Sequence, residues 1–335
     1  MFFIKFIFGI ISHKLINFFL LKNKILLNDP NHLSHKKMIN KKSDITLSGG
    51  LVFILFFLIF PNTDYNLKFF ILLIFLIGLI SDLKILDVPS LRFILQFFVV
   101  TIFVYILDLS INFTDLKYLD FFLGYKFLSM LFTILCFLVL INGSNFIDGL
   151  NSLVIVYYLL VLISFLSLIK IYNLDYNLSI IFNIILILFI LLIFNLLNKS
   201  FLGDSGAYSI SIIIGYIAID FFKTNENFSV LFIIILLWYP AFETLFSVIR
   251  KFNSNYNPIY PDNKHLHHSL FNLINSKLKK NFFANLMTAL LINLFNLLIF
   301  FVAIINYKSS INLSLILLFN AIIYIFLYIK LNHEK

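Results

Sequence analysis

Three short polar stretches interrupt a chain that is otherwise almost continuously apolar. They are Asn142-Gly143-Ser144-Asn145-Phe146-Ile147-Asp148-Gly149-Leu150-Asn151, Phe201-Leu202-Gly203-Asp204-Ser205-Gly206-Ala207 and His265-Leu266-His267-His268. An ionisable group in or beside a membrane span is costly and marks a functional site by default. Two carboxylates and three imidazoles therefore predict a shared cavity or a water-facing surface, as in an enzyme working at the edge of a bilayer.

The elements that must position these groups are membrane spans. The 335 residues are 61% hydrophobic and only 12% charged, against roughly 25% charged in a soluble domain, so an all-α polytopic membrane protein is expected. Apolar runs of the length that crosses the hydrocarbon core fall near 2–21, 47–61, 66–80, 91–107, 124–141, 153–169, 178–197, 207–222, 228–247, 284–306 and 311–329. This gives 10–11 transmembrane helices in one domain over 1–335, with no internal repeat and no separate soluble part. The first run carries Lys5, His13 and Lys14 and has no small-residue cleavage site after it, so it is expected to be a retained span. Lone Cys136 excludes a disulfide framework.

Orientation follows the basic residues. Lys22, Lys24, Lys36, Lys37, Lys84, Arg92, Lys199, Arg250, Lys251 and Lys264 fall on one set of connections, and single lysines such as Lys68, Lys117 and Lys223 on the other. The first set, predicted to be cytoplasmic, also holds Asp82 and all three polar stretches. A net charge of +9 suits anionic headgroups or phosphorylated substrates. The basic residues are divided among loops, which argues against a nucleic-acid partner.

Each group also has a plain structural reading. Asn145, Asp148 and Asn151 are spaced at i, i+3, i+6, so a helical turn puts them on one face, and polar packing between helices would explain them as well. A helix N-cap would explain Asp204, and Asp82 with Lys84 could be a solvated loop pair. Arg92, a turn from Gln96, reads first as a positive-inside anchor. Gly203-Asp204-Ser205-Gly206 mimics a serine-hydrolase string, but no suitable soluble fold surrounds it. The histidines are too clustered for satisfied core residues, and zinc lacks a spaced second ligand pair. Arg250 and Lys251 are either phosphate contacts or surface anchors.

Gly78-Leu79-Ile80-Ser81-Asp82, Asn145-Phe146-Ile147-Asp148-Gly149, Phe201-Leu202-Gly203-Asp204-Ser205-Gly206 and His265-Leu266-His267-His268 resemble, in order and spacing, the polyprenyl-phosphate N-acetylhexosamine-1-phosphate transferases. Asp29-Pro30-Asn31, Ser34-His35-Lys36 and Ser48-Gly49-Gly50 look like the GlcNAc-1-phosphate branch, and the resemblance runs over about 29–270. It implies transfer of a sugar-1-phosphate from a UDP-N-acetylhexosamine to undecaprenyl phosphate in the bacterial inner membrane, with the active site on the cytoplasmic side. The product would be the first lipid-linked intermediate of a surface glycan, and the muramoyl-pentapeptide transferase role is the competing one. It further implies Asp82, Asp148 and Asp204 as catalytic residues. Asp148 and Asp204 would hold Mg²⁺, with Mn²⁺ as the alternative. Asn142, Asn145, Asn151, Arg250, His265, His267 and His268 would contact substrate. A homodimer is compatible with this reading.

Two positions depart from the family pattern: Ser81, where paired Asp residues are usual, and Asn151, where many members have a second Asp. A lipid phosphate is already largely ionised at pH 7, with a second pKa of about 6, so direct attack without a base at 81 is expected. A transporter would normally show repeated halves with interrupted helices, and a scaffold needs no such one-sided set of acids and histidines.

Overall fold

A computed structural model of the chain describes residues 2–28, 45–60, 63–225, 228–257, 260, 262 and 264–333. The Asp29-Pro30-Asn31 and Ser34-His35-Lys36 stretches lie outside the described residues. Among these residues, fourteen helices follow one another: α1 (Phe2–Asn23), α2 (Gly49–Ile59), α3 (Tyr65–Asp82), α4 (Pro89–Ile106), α5 (Lys117–Leu123), α6 (Lys126–Ile147) and α7 (Leu153–Tyr172). Then come α8 (Leu178–Leu196), α9 (Gly203–Thr224), α10 (Val230–Leu236), α11 (Trp238–Asn253), α12 (Leu266–Leu278), α13 (Asn281–Ile305) and α14 (Ser310–His333). Apolar chain in hydrocarbon must satisfy its own backbone, which favours helices.

Among the described residues, nine helices are long and apolar enough to cross a membrane, or ten with the bent pair α10–α11 counted as one. The protein is therefore a multi-pass, all-α membrane protein, with one expected span altered and another broken. The run 47–61 becomes an 11-residue helix, about 16 Å long at 1.5 Å per residue. Its first residues are instead extended: Leu47 N–H donates to Leu26 O at 2.7 Å and Phe201 N–H to Thr46 O at 2.8 Å. That hook diverts backbone bonds a longer helix would need.

The run 228–247 bends by 75° between α10 and α11. Pro240 accounts for the break, because proline lacks an N–H and its ring crowds the carbonyl four residues earlier. That carbonyl, on Leu236, accepts instead from the Tyr157 hydroxyl at 2.8 Å. The amphipathic α12, which begins within the histidine cluster, is an element the hydropathy pattern does not announce.

Helix α9 is the axis of the bundle: 83% of its apolar window is buried, against 17% for α14. Small residues make this possible, as helices in lipid associate by close packing. A Cβ on Gly78 of α3 would stand 2.4 Å from Ser205 Cα, and one on Gly50 of α2 would stand 2.6 Å from Gly206 N. Helices α3 and α2 thus lie directly on the first turn of α9, where Asp204 sits.

Candidate active site

The N-terminal turn of α9 leaves backbone N–H groups with no partner inside the helix. Asp82, the last residue of α3, supplies one from outside. Its Oδ1 accepts from Asp204 N–H at 2.9 Å, and its Oδ2 accepts from Ser205 N–H at 3.0 Å and Ser205 Oγ at 2.6 Å. A carboxylate is also favoured there by the helix dipole. Gly203 has φ +75°, and a Cβ on it would meet Asp82 Oδ2 at 2.7 Å. Asp82, expected as a catalytic residue, is thus the clamp that fixes where α9 begins, and both of its oxygens serve that end.

With α9 so fixed, Asp204 lies in the first helical turn, while the N-cap position itself is Leu202. Asp204 Oδ2 accepts from Arg92 Nη1 at 2.9 Å and from Ser81 Oγ at 2.7 Å, and Arg92 Nη1 also donates to Ser81 Oγ at 2.7 Å. Arg92 therefore turns inward, where the sequence reading had put a surface anchor first. Its Gln96 spacing was the available signal, since one turn on along α4 the Gln96 side chain is fully buried. Gln96 Oε1 accepts from Asn142 Nδ2 at 3.0 Å. A polar path thus runs from Asp204 through Arg92 and Gln96 to Asn142 on α6.

Helix α6 ends at Ile147, with Asp148 as its C-cap donating its N–H to Asn145 O at 3.3 Å. Asn142, Asn145 and Asp148 are half-buried at this end. Asn151 does not share their face, which corrects the i, i+3, i+6 expectation: the helix stops before reaching it. Asn151 is buried, its N–H donates to Asn285 Oδ1 at 2.9 Å, and its side-chain amide donates to Asn198. These bonds tie the turn to α13 and to the end of α8.

The histidines meet the same turn from the other side. His265 is the N-cap of α12, with His267 and His268 in the first turn. A Cβ on Gly149 would stand 2.9 Å from His268 Nε2 and 3.3 Å from His267 Nε2, so a side chain beside Asp148 would press on both rings. All three imidazoles are buried. Glu243 of α11, a residue the sequence reading passed over, lies behind them: its Oε2 is 2.9 Å from His265 Nδ1 and its Oε1 3.6 Å from His267 Nδ1. An acid within an apolar run was the signal, by the criterion that singled out the other groups.

Arg250 Nη2 is held by both oxygens of Asp262, at 3.0 and 2.8 Å, and Asp262 Oδ1 is 3.7 Å from His265 Nε2. Lys251 Nζ donates to Tyr260 O at 2.7 Å. Burial pushes the Asp262 carboxyl up, but Arg250, His265 and Lys251 together hold it below the usual carboxylate range. Burial likewise holds the His267 imidazole below its usual value, against the pull of Glu243. Arg250 and His265 are thus engaged within the protein, while the Nε2 atoms of His267 and His268 face the Asp148 turn.

Among the described residues, no group of three or more His, Cys, Asp or Glu side chains is arranged to hold a metal ion. Asp148 at the end of α6 and Asp204 in the first turn of α9 are the two carboxylates that the sequence assigns to a metal. That donor set fits an ion such as Mg²⁺, which takes one or two carboxylates and completes its shell with water and substrate phosphates. It does not fit a cage built by the protein alone.

Residues 66–222 match the profile of glycosyl transferase family 4, a span that holds Ser81, Asp82, Arg92, Asp148 and Asp204. Among curated proteins, an undecaprenyl-phosphate alpha-N-acetylglucosaminyl 1-phosphate transferase of Thermotoga maritima is 34% identical over 70 residues, 21% of this chain and 23% of that protein. A probable undecaprenyl-phosphate N-acetylglucosaminyl 1-phosphate transferase of Bacillus subtilis is 33% identical over 132 residues, 38% of this chain and 33% of that protein. A decaprenyl-phosphate N-acetylglucosaminephosphotransferase of Mycolicibacterium smegmatis is 30% identical over 89 residues, 22% of this chain and 21% of that protein. The chain thus spans about a fifth to a third of the length of these curated relatives. Residues 66–222, the segment that builds the Asp82 clamp, the Arg92–Asp204 pair and the Asp148 turn, are the part of the chain that is similar to glycosyl transferase family 4.

Proposed function

We propose that the protein transfers N-acetylhexosamine-1-phosphate from a UDP-sugar to undecaprenyl phosphate, releasing UMP and leaving a polyprenyl-diphosphate-linked sugar. The observation that carries this reading is the convergence of helix ends far apart in sequence. The ends of α3 and α6 and the starts of α4, α9 and α12 bring Asp204, Arg92, Asp148 and the two inward histidines to one end of an apolar bundle. The names of the three relatives give the substrate class its support. The basic residues around this end support a cytoplasmic face of a bacterial inner membrane, where UDP-sugars are available.

Both reactants are anionic, so their approach needs positive charge between them. Arg92 is one such charge, and Asp148 with Asp204 would hold a divalent cation, Mg²⁺ or Mn²⁺, whose chemistry would be to neutralise the diphosphate and the leaving UMP. An oxygen of the lipid phosphate forms a bond to the sugar-linked phosphorus, the bond from that phosphorus to the UMP oxygen breaks, and UMP departs with the electron pair. The lipid phosphate needs no strong base, being largely ionised above pH ~6. Ser81, in place of a carboxylate, orients Arg92 and Asp204 through its hydroxyl.

The test is incubation of purified protein with undecaprenyl phosphate, Mg²⁺ and individual UDP-sugars, with UMP release as the readout. Release that requires both the lipid phosphate and one UDP-N-acetylhexosamine is expected. Release with UDP-N-acetylmuramoyl-pentapeptide alone would assign the peptidoglycan role instead, and no release with any of them would overturn the reading.

A further inference from the structure

Glu243 lies on α11, the second half of the broken helix, and is only 1% exposed. A buried carboxylate without compensation is strongly destabilising, so its surroundings define what it is for. Tyr239 and Tyr324 hydroxyls flank it. Its two oxygens divide between two rings, with His265 Nδ1 at 2.9 Å from one and His267 Nδ1 at 3.6 Å from the other. The far nitrogen of His265 meets Asp262 at 3.7 Å, so that ring is fixed between two carboxylates. His267 is different: it is buried, neither of its nitrogens has a hydrogen-bond partner among the described residues, its Nδ1 is the one that approaches Glu243, and its Nε2 would lie 3.3 Å from a Cβ on Gly149.

We propose that Glu243 is a positioning residue for substrate phosphate: by facing the Nδ1 atoms of His265 and His267, it fixes both rings and leaves His267 Nε2 directed at the Asp148–Gly149 turn, free to share a proton with a phosphate oxygen. The proposal rests on the transfer reading above. A carboxylate behind an imidazole sets both which nitrogen carries hydrogen and which way the ring faces. Gly149 is the other half of the device, because a side chain there would press on both rings. Glu243 also makes α11 part of the site: the bend at Leu237 carries α11 away from the line of α10, and the Glu243 contacts join it to α12.

The experiment combines histidine-selective ¹⁵N labelling with kinetics on the full chain, comparing wild type with Glu243→Gln and Glu243→Asp. His265 and His267 are assigned by single substitution to Gln. In the wild type, the His267 Nδ1 signal should be that of a protonated nitrogen, and Glu243→Gln should move the ring nitrogens of both residues while leaving the thermal midpoint close to wild type. The same variant should lose at least about tenfold in kcat, the lower end of what removing a carboxylate behind a working histidine does, with KM for the UDP-sugar within roughly threefold. Glu243→Asp, which keeps the charge but reaches less far, should fall between. Unmoved histidine signals in Glu243→Gln overturn the proposal, whatever happens to the rate, because a purely structural role would explain the loss. If wild-type protein turns over no UDP-sugar, the transfer reading fails, and the nitrogen signals still decide the role of Glu243.

Discussion

The two sides of the site are built in different ways. On the carboxylate side, α3 and α2 lie against α9 through glycines, and Asp82 is bonded to backbone N–H groups. Main-chain packing therefore fixes the position of Asp204. On the histidine side, side chains join α11 to α12 and to the segment before it: Glu243 to His265 and His267, and Arg250 to Asp262. Ion pairs and imidazole contacts respond to pH and salt in a way that interlocked backbones do not. The side that holds Asp204 is thus rigid by packing, whereas the histidine side is adjustable.

The largest effect should come from the rigid side. Asp204→Asn is expected to lose at least ~100-fold in UMP release, roughly 2.7 kcal/mol of transition-state stabilisation, with little change in thermal midpoint. Activity within threefold of wild type, or full activity in excess EDTA, would break the assignment of Asp204 to the reacting centre.

Alanine in place of glycine compares the two sides directly. Gly78→Ala forces a Cβ to 2.4 Å from Ser205 Cα, a backbone clash with no side chain able to yield, and overpacking of this kind costs about 1–3 kcal/mol. Gly149→Ala meets only imidazole atoms, at 2.9 and 3.3 Å, so its thermal midpoint should fall less while its turnover falls more than stability explains. Thermal unfolding in detergent, paired with the rate assay, measures both. Equal loss of stability at the two sites would remove the distinction between a packed side and an adjustable one.

Ser81→Asp sharpens the same contrast from within the rigid side. The hydroxyl of Ser81 lies 2.7 Å from Asp204 Oδ2, so a carboxylate there would crowd a second negative charge beside Asp204 and Arg92. A modest change in apparent Mg²⁺ affinity is expected. The acid limb of the pH–rate profile should stay near pH ~6, tracking the lipid phosphate. A large rate gain with a new acid limb at lower pH would show a restored base and overturn direct attack.

The smallest effect belongs to the adjustable side. Asp262 is held below the usual carboxylate range in the folded protein, with Arg250 the main cause against burial. A depressed carboxylate contributes stability that is present above its unfolded pKa and is lost as pH falls through the folded value. The Asp262 contribution should therefore be constant from pH 7 to about pH 4 and disappear only below that. Asp262→Asn should lose the same small increment, of order 1 kcal/mol for a partly exposed pair, throughout the neutral range. A gap between the thermal midpoints of the two proteins that narrows only as pH falls below about 4 would bear this out; a gap constant into strong acid would count against it.

Much of this was legible in the sequence. Hydropathy alone gives an all-α, multi-span protein, because a stretch that avoids water must close its backbone bonds internally, and the nine long apolar helices follow the expected runs. The rarity of charge in such a chain made Asp82, Asp148, Asp204 and the histidines conspicuous. The same rarity should have exposed Glu243. Other features needed partners that local pattern does not reveal. Arg92 reads as an anchor until Asp204, from another helix, is seen beside it. Asn151 shares the spacing of Asn145 and Asp148 but loses their face where α6 stops. Asp82 stands out in the sequence as an acid, but that the start of α9 donates to both of its oxygens shows only when the two helices are seen together.

By itself, then, the sequence determined which segments cross the membrane and which polar residue types are available at their ends, since both follow from the transfer of local segments between water and lipid. Only the tertiary structure decided which of those residues face one another. Pro240 made a bend possible, but Tyr157 on another helix takes up the freed Leu236 carbonyl. The glycines made close approach possible, but the meeting of Gly78 with Ser205 and of Gly149 with His268 set the site's dimensions. Pairings between residues more than a hundred positions apart depend on how helices pack, and a local hydropathy pattern carries no information about that.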